Sequence, residues 1–166
     1  MRTVFVVLFS LWSLGAAAQD RDKTFNVYNR SAAQVKAYAD SFFKTDKIEF
    51  ISDSSGVLLG KWSYTYRGQS CYPELVVIAD ISIQCKHGLT NIAMSDFRYF
   101  KKTENELVPL TATELRCILK GSYNDCQTCN TARDRFRRAL TKAAESLEDS
   151  YHRHLISSVR SEASFK

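Results

Sequence analysis

The sequence predicts an α+β domain, with one antiparallel sheet, helices on one face and a long C-terminal helix. Three observations support this class. Residues 24–28 alternate in polarity and precede an amphipathic segment at 31–44. Strand-like segments with a period of two follow up to residue 100. The last third instead repeats apolar residues at three- and four-residue steps, as helices do.

The first two elements are a short strand and a helix. The strand is expected at Thr24–Tyr28, after a loose polar leader at 19–23. Ser31 and Gln34 have the spacing of a capping box, so a helix is expected from Ser31 to Lys44.

A meander of about four strands follows the helix. The expected strands are Ile48–Ser52, Val57–Arg67, Glu74–Lys86 and Leu89–Phe100. The third of these shows the clearest alternation of apolar and polar residues, which is typical of an antiparallel strand with one face in solvent. The fourth changes parity, which predicts a bulge near Ser95, and His87-Gly88 is the expected turn before it.

Two helices are predicted in the last third. Thr111 and Glu114 form a second capping-box pattern, which opens a short helix that Gly121 ends. A long helix is expected from Thr131 to about Arg160, roughly 45 Å in length. Because this exceeds the sheet that it would cover, we expect part of the helix either to project or to pair with another chain as a homo-oligomer.

The first 18 residues predict an export signal. Arg2 is followed by an apolar run at Thr3–Leu14, and Gly15–Ala18 provides the small residues of a cleavage site, with cleavage expected after Ala18. An uncleaved membrane anchor is the alternative. The expected division is 1–18 signal peptide, 19–104 α+β domain and 105–166 helical C-terminal extension. The export signal predicts a periplasmic or extracellular location for the mature protein.

Charge and composition narrow the classes of partner. Arg2 is the only charged residue of the signal, so the mature chain keeps 22 of the 23 lysines and arginines against 18 acidic residues. This mild basicity, in an exported protein, argues against nucleic acid as a partner. No second apolar stretch approaches the length of a transmembrane helix, so none is expected in the mature form.

The chain has five cysteines, and an oxidising compartment favours pairing among them. Cys126 and Cys129 form a CxxC motif, for which a structural disulfide is the favoured interpretation. A redox dithiol and a thiolate–metal site are the alternatives. Cys117 would supply a third metal ligand, but the candidate fourth ligands, His152 and His154, lie too far along the long helix.

Cys85 lies on the apolar face of its strand. A small buried hydrophobe is the favoured interpretation, and a disulfide to Cys117 is the alternative. The disulfide candidates are therefore Cys126, Cys129, Cys117 and Cys85.

No catalytic, cofactor-binding or metal-binding residue is predicted, since the sequence has no nucleophile elbow, HExxH motif or phosphate-binding loop. Asp80 and Asp96 could face each other across the last hairpin, but polar surface positions are the simpler interpretation. An aromatic row at Trp62, Tyr64 and Tyr66 is expected in the core, with a docking surface as the alternative.

A run of basic residues opens the long helix. Its members are Arg133, Arg135, Arg137, Arg138 and Lys142. Such a run is usually a solvated face, and the alternative is a surface for an acidic partner, an anionic lipid or a glycan.

Three segments carry a family resemblance: Ser31–Phe43, Ile48–Tyr64 and Leu75–Phe100. They resemble a family of exported bacterial domains of unknown function with a TATA-binding-protein-like fold. That family often has Asp-Gly where this chain has His87-Gly88. The resemblance implies the fold and a Gram-negative envelope location, and it transfers no catalytic residue.

The expected function is therefore a non-enzymatic binding or structural domain of the envelope. Its partner would be an envelope or extracellular protein or a glycan, with no cofactor. A thiol–disulfide or thiolate–metal protein that uses Cys126 and Cys129 is the alternative.

Overall fold

An antiparallel sheet with helices packed on one face forms the body of the protein. The computed structural model describes residues 20–45, 48–54, 56–68, 74–104, 106–120 and 127–164. The elements are β1 (Arg21–Asn26), α1 (Ala32–Thr45), β2 (Ile48–Ser54), β3 (Val57–Arg67), β4 (Glu74–Lys86), β5 (Leu89–Lys102), β6 (Leu107–Pro109), α2 (Ala112–Lys120) and α3 (Gln127–Ser164). The described strands run in the order β1-β5-β4-β3-β2, and β6 pairs with β5. The predicted α+β class is confirmed.

The first strand begins earlier than its apolar alternation predicts. Residues 21–23, expected to be a loose leader, pair with β5, and Arg21 lies opposite Met94. Arg21 Nε donates to Glu148 Oε1 of α3 at 2.8 Å, and Lys23 Nζ donates to Asp149 at 3.3 Å. Ion pairs with a distant helix, rather than apolar burial, therefore hold this part of the strand.

The hairpin of β4 and β5 has the predicted turn and bulge. Gly88 adopts a φ of +68° in the turn after His87. Farther along, the register shifts between Ile78 and Asp80, where β5 carries one residue more than β4. Asp96 has a φ of +50° at this point, so the bulge lies next to Ser95 as the change of parity predicted.

The first helix starts from the predicted capping box. The Gln34 amide nitrogen of the backbone donates to Ser31 Oγ at 3.3 Å, and Gln34 Oε1 accepts from the Ser31 backbone at 3.0 Å. The apolar face of α1 packs on β3 and β4, where Gly60 lets the helix approach closely. A Cβ built at Gly60 would lie only 2.3 Å from Phe43 Cε1.

The second helix also has its predicted cap, since Glu114 Oε2 accepts from the Thr111 backbone at 2.8 Å. The strand before it, β6, was not predicted. It is only three residues long, ends in Pro109 and pairs with Phe100–Lys102 at the end of β5. So short a segment shows no alternation that could indicate a strand.

The last helix is 38 residues long, about 57 Å, and it begins four residues before the predicted start. A buried stripe faces the sheet and consists of Phe136, Leu140, Ala144, Leu147, Tyr151 and Leu155. Within the core, Tyr151 Oη and Thr90 Oγ1 lie 2.8 Å apart in a buried hydrogen bond. The middle of α3 therefore forms part of the same hydrophobic core as the sheet.

Candidate binding site

A surface pocket of about 220 Å³ lies where the first turns of α3 pass the end of β3. Tyr66, Arg67 and the following Gly68 line it from the strand, and Ala132 and Arg135 line it from the helix. Of the lining residues that the structure describes, two are arginines and none is acidic. The pocket thus presents positive charge from two segments far apart in the sequence.

Buried aromatic packing holds α3 in place beside the pocket. The fully buried Phe136 contacts Tyr66 edge-on, with ring centroids 5.2 Å apart, and Tyr99 at 6.4 Å. Burial raises the pKa of Tyr99 to about 12, so its phenol stays neutral at physiological pH. Phe136 directly follows Arg135, so this packing fixes the backbone that carries the arginine.

Three exposed cations extend from the pocket along α3, and we call them the basic row: Arg135, Arg138 and Lys142. Their three- and four-residue spacing places them on one side of the helix. Among the described residues, the ion pairs of the structure involve none of these three side chains. Arg133 differs, since its Nε lies 3.1 Å from Asp134 Oδ1.

The aromatic row of β3 belongs to the core, as expected. Trp62 is buried and stacks on Tyr64, with ring centroids 5.9 Å apart. Tyr66 packs on Phe136 and also lines the pocket. The end of this row therefore reaches the pocket.

The cysteines that the structure describes in full do not form the disulfide that the sequence left open. Cys85 is buried and Cys117 half-buried, and both are free thiols, so the alternative bridge between them is not formed. Burial raises the pKa of Cys85 to about 11. Cys126 lies outside the described residues, and its disulfide or redox pairing with Cys129 stays a prediction.

The observed start of α3 changes the position of the CxxC motif relative to the helix. The predicted helix start at Thr131 would place both of its cysteines before the helix. The helix instead begins at Gln127, so Cys129 lies in its first turn.

The histidines have structural contacts of their own. His152 stacks on Phe25 with ring centroids 4.8 Å apart. His154 Nε2 lies 2.7 Å from Ser41 Oγ and 3.1 Å from the Tyr38 carbonyl oxygen. In the described part of the chain, no three histidine, cysteine or acidic side chains cluster as metal ligands would.

An arginine lies between Asp80 and Asp96 on the sheet face away from the helices. Arg98 Nη2 donates to Asp80, and Arg98 Nε lies 3.4 Å from Asp96 Oδ2 without the alignment of a hydrogen bond. The two carboxylates are therefore partners of one guanidinium rather than a facing acid–base pair.

Sequence reasoning missed Arg67. Its only local signal is its position at the end of a strand, before Gly68. Arg135 was recognised within the basic run, but the sequence shows no sign that the two residues meet.

Two solved structures share this fold. A DUF4468 family protein from Bacteroides ovatus matches with a TM-score of 0.56 and 14% identity, over 82% of this chain and 85% of its own. A TBP-like protein from Parabacteroides distasonis matches with a TM-score of 0.54 and 8% identity, over 80% and 92%. The predicted TBP-like fold and the likeness to bacterial proteins of unknown function are thus confirmed at the level of the fold.

The shared fold extends past residue 104, because 82% of the chain is more than that segment could supply. Neither protein-family models nor curated proteins give a match to the sequence. Among the helices of the described segments, none has the length and apolarity needed to cross a membrane.

Proposed function

We propose that this chain is an exported, non-enzymatic binding domain of the bacterial envelope, and that its pocket binds an acidic ligand. One observation carries the proposal: Arg67 and Arg135 line a single small pocket although they come from different elements. Export rests on the predicted signal at residues 1–18, which lie outside the described residues.

The chemistry of arginine supports an anionic ligand. A guanidinium stays charged at any physiological pH, and its planar donors match carboxylate and phosphate oxygens in pairs. The pocket, at about 220 Å³, is smaller than typical sites for drug-sized ligands. It has room for one small acidic molecule or for one unit of a larger ligand.

The composition of the pocket supports binding rather than catalysis. General acid–base chemistry needs a group that titrates near the working pH, and arginine does not. The other described lining residues are a tyrosine, a glycine and an alanine. This set can hold and orient an anion, but it offers no base matched to neutral pH.

The basic run adds to the positive charge around the pocket. Five cations and one acidic residue lie between residues 133 and 142 of α3. Arg133 lies 3.1 Å from Asp134, but Arg135, Arg138 and Lys142 are exposed and leave an excess of positive charge beside the pocket that a bound anion would neutralise.

Binding of small anions to purified protein, expressed from the full sequence, tests the proposal. We expect isothermal titration with galacturonate and with inorganic phosphate to show one site. Arg67→Gln and Arg135→Gln should each weaken it about tenfold or more, as loss of a charge-assisted hydrogen bond would. Arg160→Gln is the matched control, because Arg160 is exposed on the same helix but far from the pocket.

Unchanged binding in both pocket variants, or equal weakening in the control, would contradict the proposed site.

Export of the protein is tested by a separate measurement. Mass spectrometry of the protein recovered from a periplasmic extract should give a chain that begins at Gln19. Recovery of the protein only in the cytoplasm, with its first 18 residues intact, would refute export.

A further inference from the structure

We infer that the pocket and the basic row together bind one linear anionic polysaccharide, with one acidic sugar in the pocket and the next units along α3. The inference rests on the proposed function, because Arg135 belongs to both surfaces. It specifies the class of ligand, the length of the bound segment and the direction in which that segment runs along α3.

The spacing of the basic row suits a chain of repeated anions. With a rise of 1.5 Å per residue, Arg138 lies about 4.5 Å and Lys142 about 10.5 Å beyond Arg135 along the helix axis. All three side chains are exposed. A sugar unit advances a polysaccharide by about one helical turn, so successive acidic sugars would meet successive cations.

The charges that follow the basic row along α3 limit the length of the bound ligand, and they argue against a lipid surface as the partner. By the helical repeat, Glu145 and Asp149 continue the same side of α3, and both are exposed. They pair with cations of β1, Arg21 at 3.8 Å and Lys23 at 3.3 Å, so the run of cations is interrupted after Lys142. A flat anionic bilayer on the basic row would also cover these carboxylates and gain no attraction there. A flexible chain can leave the helix after Lys142, so the row accommodates about three acidic units.

The pocket itself favours a sugar among linear anions. Tyr66 lines it beside the two arginines, and Phe136 fixes the tyrosine ring edge-on at 5.2 Å. Aromatic rings pack against the C–H face of a sugar ring, while guanidinium groups bind its carboxylate. An acidic sugar satisfies both features, whereas an acidic peptide side chain would use only the charge.

A length series of galacturonic acid oligomers tests this inference. We expect the trimer to bind about two- to twenty-five-fold more tightly than the monomer, since each of the two added exposed charge pairs contributes about 1.4- to fivefold. Arg138→Gln and Lys142→Gln together should bring the trimer affinity close to that of the monomer. Titration of the monomer on the same variant shows that its pocket is folded, and Arg160→Gln should change neither affinity.

Other outcomes would contradict either the polysaccharide inference or the proposed function. A monomer that binds as tightly as the trimer refutes the polysaccharide inference but leaves the pocket intact. No binding of either sugar, or of phosphate, refutes the proposed function itself. Equal binding of neutral dextran excludes recognition of charge. Binding to phosphatidylglycerol vesicles that Arg138→Gln abolishes, without a length effect in the sugars, favours a lipid surface instead.

Discussion

Alanine at position 60 would place a methyl group inside the contact between α1 and β3. The added Cβ would lie 2.3 Å from Phe43 Cε1, 2.9 Å from the Glu49 carbonyl oxygen and 2.9 Å from Ile48 Cγ2. Carbon atoms in good contact lie about 3.5–4.0 Å apart. The Phe43 ring must therefore retreat by about 1 Å or more, and both strand and helix must adjust.

The surroundings determine the size of the effect. Phe43 is 5% exposed and Ile48 6%, so neither side chain can move without repacking the core. Overpacking of this kind costs about 1–3 kcal/mol. Loss of glycine's freedom in the unfolded chain offsets about 0.4–1 kcal/mol. We expect Gly60→Ala to lower the free energy of unfolding by about 1–2 kcal/mol.

Urea unfolding followed by circular dichroism measures this change, and Ser63→Ala is the matched control on an exposed position of the same strand. The control should change stability by less than about 0.5 kcal/mol. In a Phe43→Leu background, Gly60→Ala should cost less, because the shortest of the three close contacts is gone while the two at 2.9 Å remain. A Gly60→Ala variant as stable as the wild type would refute the close approach of α1 to β3.

Three further predictions concern buried or paired groups. Tyr151→Phe removes the buried hydrogen bond with Thr90 and should cost about 1–2 kcal/mol in urea unfolding. The hydrogen bond from Lys101, with those from Thr111, lowers the pKa of Glu114 to about 2 from its ordinary 4.5. The ionised carboxylate therefore stabilises the fold above pH 4.5, and this contribution is lost as the pH falls toward 2, so Glu114→Gln should show a weaker loss of stability over that range. The Cys85 thiol, with its pKa raised to about 11 by burial, should resist iodoacetamide at about pH 8 until urea unfolds the chain.

Each of these has a result that would contradict it. Additive losses of stability for Tyr151→Phe and Thr90→Val in the double variant would contradict the buried hydrogen bond, since partners in one hydrogen bond should be coupled. A parallel loss of stability in wild type and Glu114→Gln below pH 4.5 would show that the Glu114 carboxylate does not stabilise the fold. Alkylation of Cys85 at equal rates in native and unfolded protein would show that the thiol is accessible.

Much of the fold could be predicted because its signals are local. The capping boxes at Ser31 and Thr111 need only residues three positions away, and the alternation of β3 and β4 needs only a period of two. Even the bulge beside Ser95 appeared as a change of parity within one strand. The short β6 lacked such a signal, because three residues cannot display a period.

The sequence by itself determined the α+β class, the bounds of β3 and β4, the apolar stripe of α3 and the assignment of Trp62 and Tyr64 to the core. These follow from side-chain periodicity and capping, which act over a few residues. Only the tertiary structure decided where β1 begins, since Arg21 finds its partner Glu148 across 127 residues of sequence. It also decided that Arg98 separates Asp80 from Asp96, and that Arg67 joins Arg135 in one pocket. Such contacts depend on how α3 packs across the sheet, and a contact between distant residues leaves no periodic trace in either segment.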